Sequence, residues 1–171
     1  NQSGTRTMDT NNSDSPRTSV LFVCLGNICR SPLAEGIFHH LVDEAGLSER
    51  FDVDSAGTGS WHLGELPDAR ASMVASQHGV ELTTRARQLT PEDMQRFDVV
   101  IAMDHENLRN IERMADAAGS EARIKLLRAY DSDGDGEEVP DPYYGGASGF
   151  ENIYEMVRRS CQVLLEELRA A

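Results

Sequence analysis

Four short apolar runs punctuate the chain. Val20-Leu21-Phe22-Val23 and Val99-Val100-Ile101-Ala102 are continuous, Phe51 to Ala56 alternates, and Ile124-Lys125-Leu126-Leu127 is a weaker fourth. Continuous runs of this length fit strands buried on both faces, as in parallel sheets. Between them, apolar residues recur at helical spacing. Ala34, Ile37, Phe38, Leu41, Val42 and Ala45 form one stripe, with Ser31-Pro32 as N-cap and first helical residue and Gly46 as the stop. A second helix is predicted over 67–78, with Ala71, Val74, Ala75 and His78 on one face and Gly79 ending it. Thr90-Pro91-Glu92-Asp93 opens a short helix, and Asp104 caps one that carries Leu108, Ile111 and Met114. The last helix carries Phe150, Ile153, Tyr154, Val157, Cys161, Leu164, Leu165 and Leu168.

Strand and helix alternate four times, which predicts an α/β fold. The expectation is a single three-layer domain with a four-stranded parallel sheet and helices on both faces. Ligands on such sheets sit beyond the carboxyl ends of the strands. That points to the loops after Val23, Ala56, Ala102 and Leu127.

Composition narrows the function. Residues 1–18 are polar and nearly free of aliphatics, so they read as a disordered N-terminal tail ahead of a domain over 19–171. Met8 reads as a native start preceded by residues left from expression. Sixteen Lys and Arg stand against 29 Asp and Glu, a formal net charge of -13. That balance argues against nucleic acid and against anionic membrane, but not against a small anion in a locally positive site. It also predicts a preference for substrates with basic flanks. Three cysteines fit a reducing, cytoplasmic setting rather than a disulfide scaffold. No apolar run approaches the ~18 residues of a membrane helix.

The chemistry concentrates in Cys24-Leu25-Gly26-Asn27-Ile28-Cys29-Arg30-Ser31-Pro32, which joins the first strand to a helix N-terminus. The amides of such a loop and the positive helix end bind a tetrahedral oxyanion, so this reads as a phosphate-binding loop. Arg30 adds a planar fork for two phosphate oxygens. Cys24, at the start of the loop, faces that positive field, which favours a thiolate poised for attack on phosphorus. The Ser31 hydroxyl can donate to the sulfur. GxxxxGK[ST] is absent, so this is not a nucleotide P-loop. Asp131 to Gly136 imitates the start of a calcium loop, but Pro142 stands where the twelfth-position acid belongs. That stretch reads as a solvated acidic loop, and no metal or other cofactor is expected.

These residues resemble the low-molecular-weight protein tyrosine phosphatases over roughly 19–168. The similarity is carried by 20–35 (VLFVCLGNICRSPLAE) and by Asp141-Pro142-Tyr143-Tyr144-Gly145. Weaker blocks are 54–58, Ala86-Arg87-Gln88 and Ala102-Met103-Asp104. The resemblance implies hydrolysis of protein phosphotyrosine through a Cys24-phosphate intermediate, with Arg30 as clamp and Asp141 as general acid and then base. A tyrosyl leaving group has a pKa of ~10, so protonating its oxygen helps as the bond breaks. Trp61, Tyr143 and Tyr144 are expected to wall the pocket with flat apolar faces.

The resemblance further implies a polar network in which Asn27 holds the loop through Ser31 and Ser55. It usually continues to a histidine whose place Thr84 takes here. It implies a reversible Cys24–Cys29 disulfide that shields the nucleophile. His78 is expected to be structural, Asp104 a helix cap, and Cys161 core. The expected partners are phosphotyrosine proteins and inorganic phosphate or similar oxyanions. The chain itself is expected to be a monomer or a weak homodimer through Tyr143-Tyr144.

Three rival functions fit the residues less well. Arsenate reduction needs further relay cysteines, and only Cys161 lies downstream. Arginine phosphatases of this kind typically have Thr at the position of Ile28 and one tyrosine fewer after the general acid. A silent phosphotyrosine-binding module would require loss of Cys24, Arg30 or Asp141, and all three are present.

Overall fold

The structure, a computed structural model, describes residues 17–133, 137–141 and 146–170, with the side chains of 146–148 left aside. Four strands, β1 (Thr18–Cys24), β2 (Phe51–Gly57), β3 (Val99–Ala102) and β4 (Arg123–Leu126), form one parallel sheet. Their order is β2-β1-β3-β4, so the chain leaves β1 to one side and later crosses to the other. The helices are α1 (Arg30–Glu44), α2 (Ala69–Gln77), α3 (Pro91–Arg96), α4 (His105–Ala118) and α5 (Gly146–Arg169). No helix among the described residues is long and apolar enough to cross a membrane.

The strand period of two divides the core. Val20, Phe22 and Cys24 join the cluster formed with α1, α2 and α5, while Leu21 and Val23 join the one formed with α3 and α4. Phe22, Phe38 and Phe51 meet in tilted and edge contacts, with ring centroids 5.6 and 5.7 Å apart. Burying each such side chain contributes ~1.5–3 kcal/mol, so this apolar contact fixes the sheet under α1. Thr90 and Asp93 form the capping box of α3, and Gly46, Gly79 and Gly119 take positive φ just past helix ends.

The structure departs from the sequence reading in three places. Thr18 already pairs with Phe51, and Arg17 donates to the carbonyls of Glu49 and Phe51, so these two residues of the expected tail belong to the fold. Helix α1 starts at Arg30 with Cys29 at its N-cap, so Ser31 is not the cap. Its hydroxyl instead faces the Cys24 sulfur. Asp131, read as part of a solvated loop, is buried between Arg128 and Arg159 at 3.0 and 3.2 Å. Burial opposes its charge, but these guanidinium groups hold the carboxyl below its ordinary range.

His78 stacks on Tyr154 and pairs with Glu151, joining α2 to α5 as a structural residue. Cys161 is fully buried under α1, and burial pushes its thiol far up.

Candidate active site

The loop from Cys24 to Arg30 leaves the central strand of the sheet, where β1 has β2 on one side and β3 on the other. This is the crevice where connections diverge and ligands collect. Asn27 turns the loop. It has φ 58°, the positive φ of a non-glycine residue among those described. Asparagine tolerates this conformation, and here its side chain is held on three sides. Its Nδ2 donates to Ser31 Oγ at 2.8 Å and to Ser55 Oγ at 3.0 Å, and its Oδ1 accepts from the Arg87 amide at 2.9 Å.

The sulfur of Cys24 lies 3.0 Å from Ser31 Oγ and accepts from the Asn27 amide at 3.3 Å. The amides of Gly26, Ile28 and Cys29 have no acceptor among the described residues, which leaves them available to an anion.

Behind the loop the network runs on. Ser55 Oγ donates to Glu35 Oε1 at 2.5 Å, and Thr84 Oγ1 donates to the same oxygen at 3.1 Å. Thr84 therefore ends the chain of contacts with a hydroxyl on Glu35. Burial pushes the Glu35 carboxyl above its ordinary value, against the lowering effect of these two hydroxyls. Arg87 is fixed by Asp54 and Asp93, at 3.1 and 3.0 Å, so the backbone that holds Asn27 is itself ion-paired.

Gly57 lets the strand end approach the loop. A Cβ there would lie 2.8 Å from the Leu25 carbonyl oxygen and 3.1 Å from the Asn27 nitrogen, both backbone atoms. Gly57→Ala is therefore expected to destabilise the fold by about 1–3 kcal/mol, measured by urea unfolding. A change within about 0.5 kcal/mol, on the scale of a neutral surface substitution, would show that the loop can yield.

Arg30 is buried, and its Nη1 donates to Asp104 Oδ2 at 2.9 Å and to the Val139 carbonyl at 3.0 Å. Burial opposes its charge, but Cys24 and Asp104 raise the guanidinium above its ordinary value. Its Nε and Nη2 have no acceptor among the described residues, and Arg30 lines the cavity above the loop. Asp104 does two things at once. Its Oδ1 caps α4 through the Asn107 amide at 2.8 Å, and its Oδ2 holds Arg30. The capping role expected from the sequence is present, with the arginine contact added.

The cavity above the loop measures about 290 Å³. It is lined by Cys24, Leu25, Gly26, Ile28, Cys29 and Arg30 of the loop together with Trp61, His62 and Asp141. Leu25 and Trp61 are 40% and 70% exposed, so the rim is apolar and open to a flat ring. Tyr143 and Tyr144 lie outside the described residues.

Cys29 borders the same cavity. Burial first, and then the charge of Asp68, push its thiol up to about 12, so Cys29 is a protonated thiol at neutral pH. All three cysteines are free.

Glu35, His62, Arg87 and the Val139 carbonyl do not stand out as single residues in the sequence. Glu35 and Arg87 fall inside the blocks that carry the resemblance, which marks their positions without giving their contacts. Those contacts depend on tertiary pairing that local patterning does not encode.

The sequence model of the low molecular weight phosphotyrosine protein phosphatase family matches residues 19–171. A Schizosaccharomyces pombe protein of that name is 50% identical over 136 residues, covering 79% of this chain and 86% of its own. Among solved structures, YfkJ from Bacillus subtilis is 40% identical with a TM-score of 0.84, covering 92% of this chain and 98% of its own. The Drosophila arginine phosphatase DARP is 37% identical with a TM-score of 0.81, covering 87% of this chain and 96% of its own.

Proposed function

The chain belongs to the low molecular weight phosphotyrosine protein phosphatase family, and on that footing we propose that it hydrolyses protein phosphotyrosine in two steps through Cys24. One observation carries the reading. The Cys24 sulfur accepts from the Asn27 amide at 3.3 Å, with the Ser31 hydroxyl at 3.0 Å and with Arg30 and Asp141 on the same cavity.

In the first step Cys24 Sγ attacks phosphorus and the bond to the tyrosyl oxygen breaks. Asp141 gives its proton to that oxygen, so tyrosine leaves neutral. The phosphoryl oxygens lie against the loop amides and the Nε and Nη2 of Arg30, which meet their charge without a metal ion. In the second step ionised Asp141 takes a proton from water as its oxygen attacks phosphorus. The sulfur–phosphorus bond breaks, the Ser31 hydroxyl supports the departing thiolate, and phosphate is released. Ser55 and Asn27 hold the loop in shape throughout.

Ile28 and Trp61 give the cavity apolar faces that suit a phenyl ring. Tyr143 and Tyr144 are assigned as further walls from the family resemblance. Cys24 and Cys29 form the redox pair of the same proposal. A peroxide oxidises Cys24 to the sulfenic acid, and the Cys29 thiol displaces water to close the disulfide. The setting proposed for this chemistry is the cytoplasm.

Likeness to an arginine phosphatase gives a second reading, in which the leaving atom is a guanidinium nitrogen. The deciding experiment compares a phosphotyrosine peptide with a phosphoarginine peptide in EDTA, using the parent protein and Asp141→Ala. The expected result is turnover that favours phosphotyrosine and survives EDTA, with kcat lowered about 100-fold in Asp141→Ala. Equal or faster turnover of phosphoarginine overturns the substrate assignment, and loss of activity in EDTA overturns the metal-free mechanism.

A further inference from the structure

Beside the catalytic cavity lies a second one of about 570 Å³. Leu25 and Trp61 line both, so the two are neighbours that meet at these side chains. The Trp61 indole lies against Gly59 so closely that a Cβ there would sit 1.8 Å from a ring carbon. The backbone thus leaves room for the indole to stand between the cavities while remaining largely exposed.

The interior of the second cavity is apolar, with buried Leu89 and half-buried Met114 beside Leu25 and Trp61. Its outer wall is one face of α4, where Glu106, Asn110 and Arg113 recur at helical spacing. Arg113 donates to the Asn110 side chain, and Glu106 supplies the opposite charge, so the rim carries no net sign. Thr58 lines the same cavity, and its Oγ1 is buried behind the wall with no hydrogen-bond partner among the described residues.

We infer that this cavity is a substrate subsite that takes a bulky apolar side chain flanking the phosphotyrosine. The inference rests on the phosphotyrosine reading above. Adjacency to the catalytic cavity names the occupant, because Leu25 and Trp61 border both and a peptide anchored by its phosphate above Cys24 has its flanking residues within reach of the second. An extended chain sets side chains of one face about 7 Å apart, comparable to the indole that stands between the cavities. A leucine- or methionine-sized side chain meets Leu89 and Met114, and the pliable thioether adapts to its shape. The balanced rim leaves the choice to the apolar interior rather than to charge.

The test scans phosphotyrosine peptides with Leu, Ala or Asp at the two positions on either side of the phosphotyrosine. Leu over Ala at one of these positions is expected to raise kcat/KM about tenfold, the effect of burying a few methylenes. Asn110→Trp fills the cavity from its rim, and Met114→Gln makes its wall polar at nearly constant volume. Each is expected to cut the Leu/Ala ratio to below about 2, because the leucine methylenes then stay in water. Kinetics with para-nitrophenyl phosphate, which has no flanking residue, are expected to stay unchanged in both. A flat scan at every position overturns the subsite, as does a ratio that survives in both variants. Absence of any phosphotyrosine turnover instead sinks the catalytic reading, and the subsite with it.

Discussion

Cys24→Ser is expected to abolish phosphotyrosine hydrolysis, lowering kcat by about 10⁴-fold or more, as removal of a covalent nucleophile does. A serine hydroxyl is not ionised at neutral pH, and no base stands in the loop to take its proton. The loop is expected to keep its shape, because Asn27 is held by Ser31, Ser55 and the Arg87 amide rather than by sulfur. The variant should therefore still bind inorganic phosphate. Steady-state turnover and calorimetric titration with phosphate separate the two properties. Residual activity within tenfold of the parent would falsify the assignment of Cys24. Loss of phosphate binding together with turnover would show that the sulfur also supports the loop.

Arg30→Lys is the second large effect. Both side chains are cations, so charge alone predicts little change. Geometry predicts much more. Nη1 is already engaged by Asp104 and Val139, and only a planar fork has further donors on the other side. A lysine ammonium is a single point that cannot hold Asp104 and also grip two phosphoryl oxygens. The expected loss in kcat/KM is about 10²–10³-fold, the size seen when a preorganised donor to a developing oxyanion is removed. Substrates with good leaving groups should suffer as much as poor ones, because the clamp acts on the phosphoryl group. A drop smaller than tenfold would mean that charge, not shape, is what the site uses.

The sheet was legible because its strands are buried on both faces. Val20–Val23 and Val99–Ala102 have nothing polar to contradict a strand, and the structure places both in the middle of the sheet. Helix ends were legible where a backbone requirement selects a residue type, as at Gly46, Gly79 and the Thr90–Asp93 box.

Ser31 shows where local rules fail. Ser before Pro is a good cap signal, but here tertiary contacts with Cys24 and Asn27 claim its hydroxyl, and the helix begins two residues earlier. Asp131 fails for a related reason. An Asp/Gly-rich string reads as solvated, and the arginine of α5 that buries it stands 28 residues away.

At the site, Cys24, Arg30 and Asp141 were legible as a motif, and the structure sets all three on one cavity. The supports behind it were less so. Glu35 meets Ser55 and Thr84 across 20 and 49 residues, a pairing that exists only once β2 lies beside α1.

Asp104 joins two otherwise separate parts of the molecule. One of its oxygens holds the phosphate clamp, and the other accepts the Asn107 amide at the start of α4, 2.8 Å away. An anion that draws on the guanidinium is expected to change the polarisation of the shared carboxylate and so to shift the Asn107 amide resonance during a phosphate titration. Asn107 is buried, so water does not blur that resonance. In a ¹⁵N-labelled sample that signal is then expected to report clamp occupancy, and an Asn107 resonance that stays put as phosphate saturates the site would sink the idea. It lies outside the cavity lining, so it can be followed during catalysis without a dye, a tag or a change to the active loop.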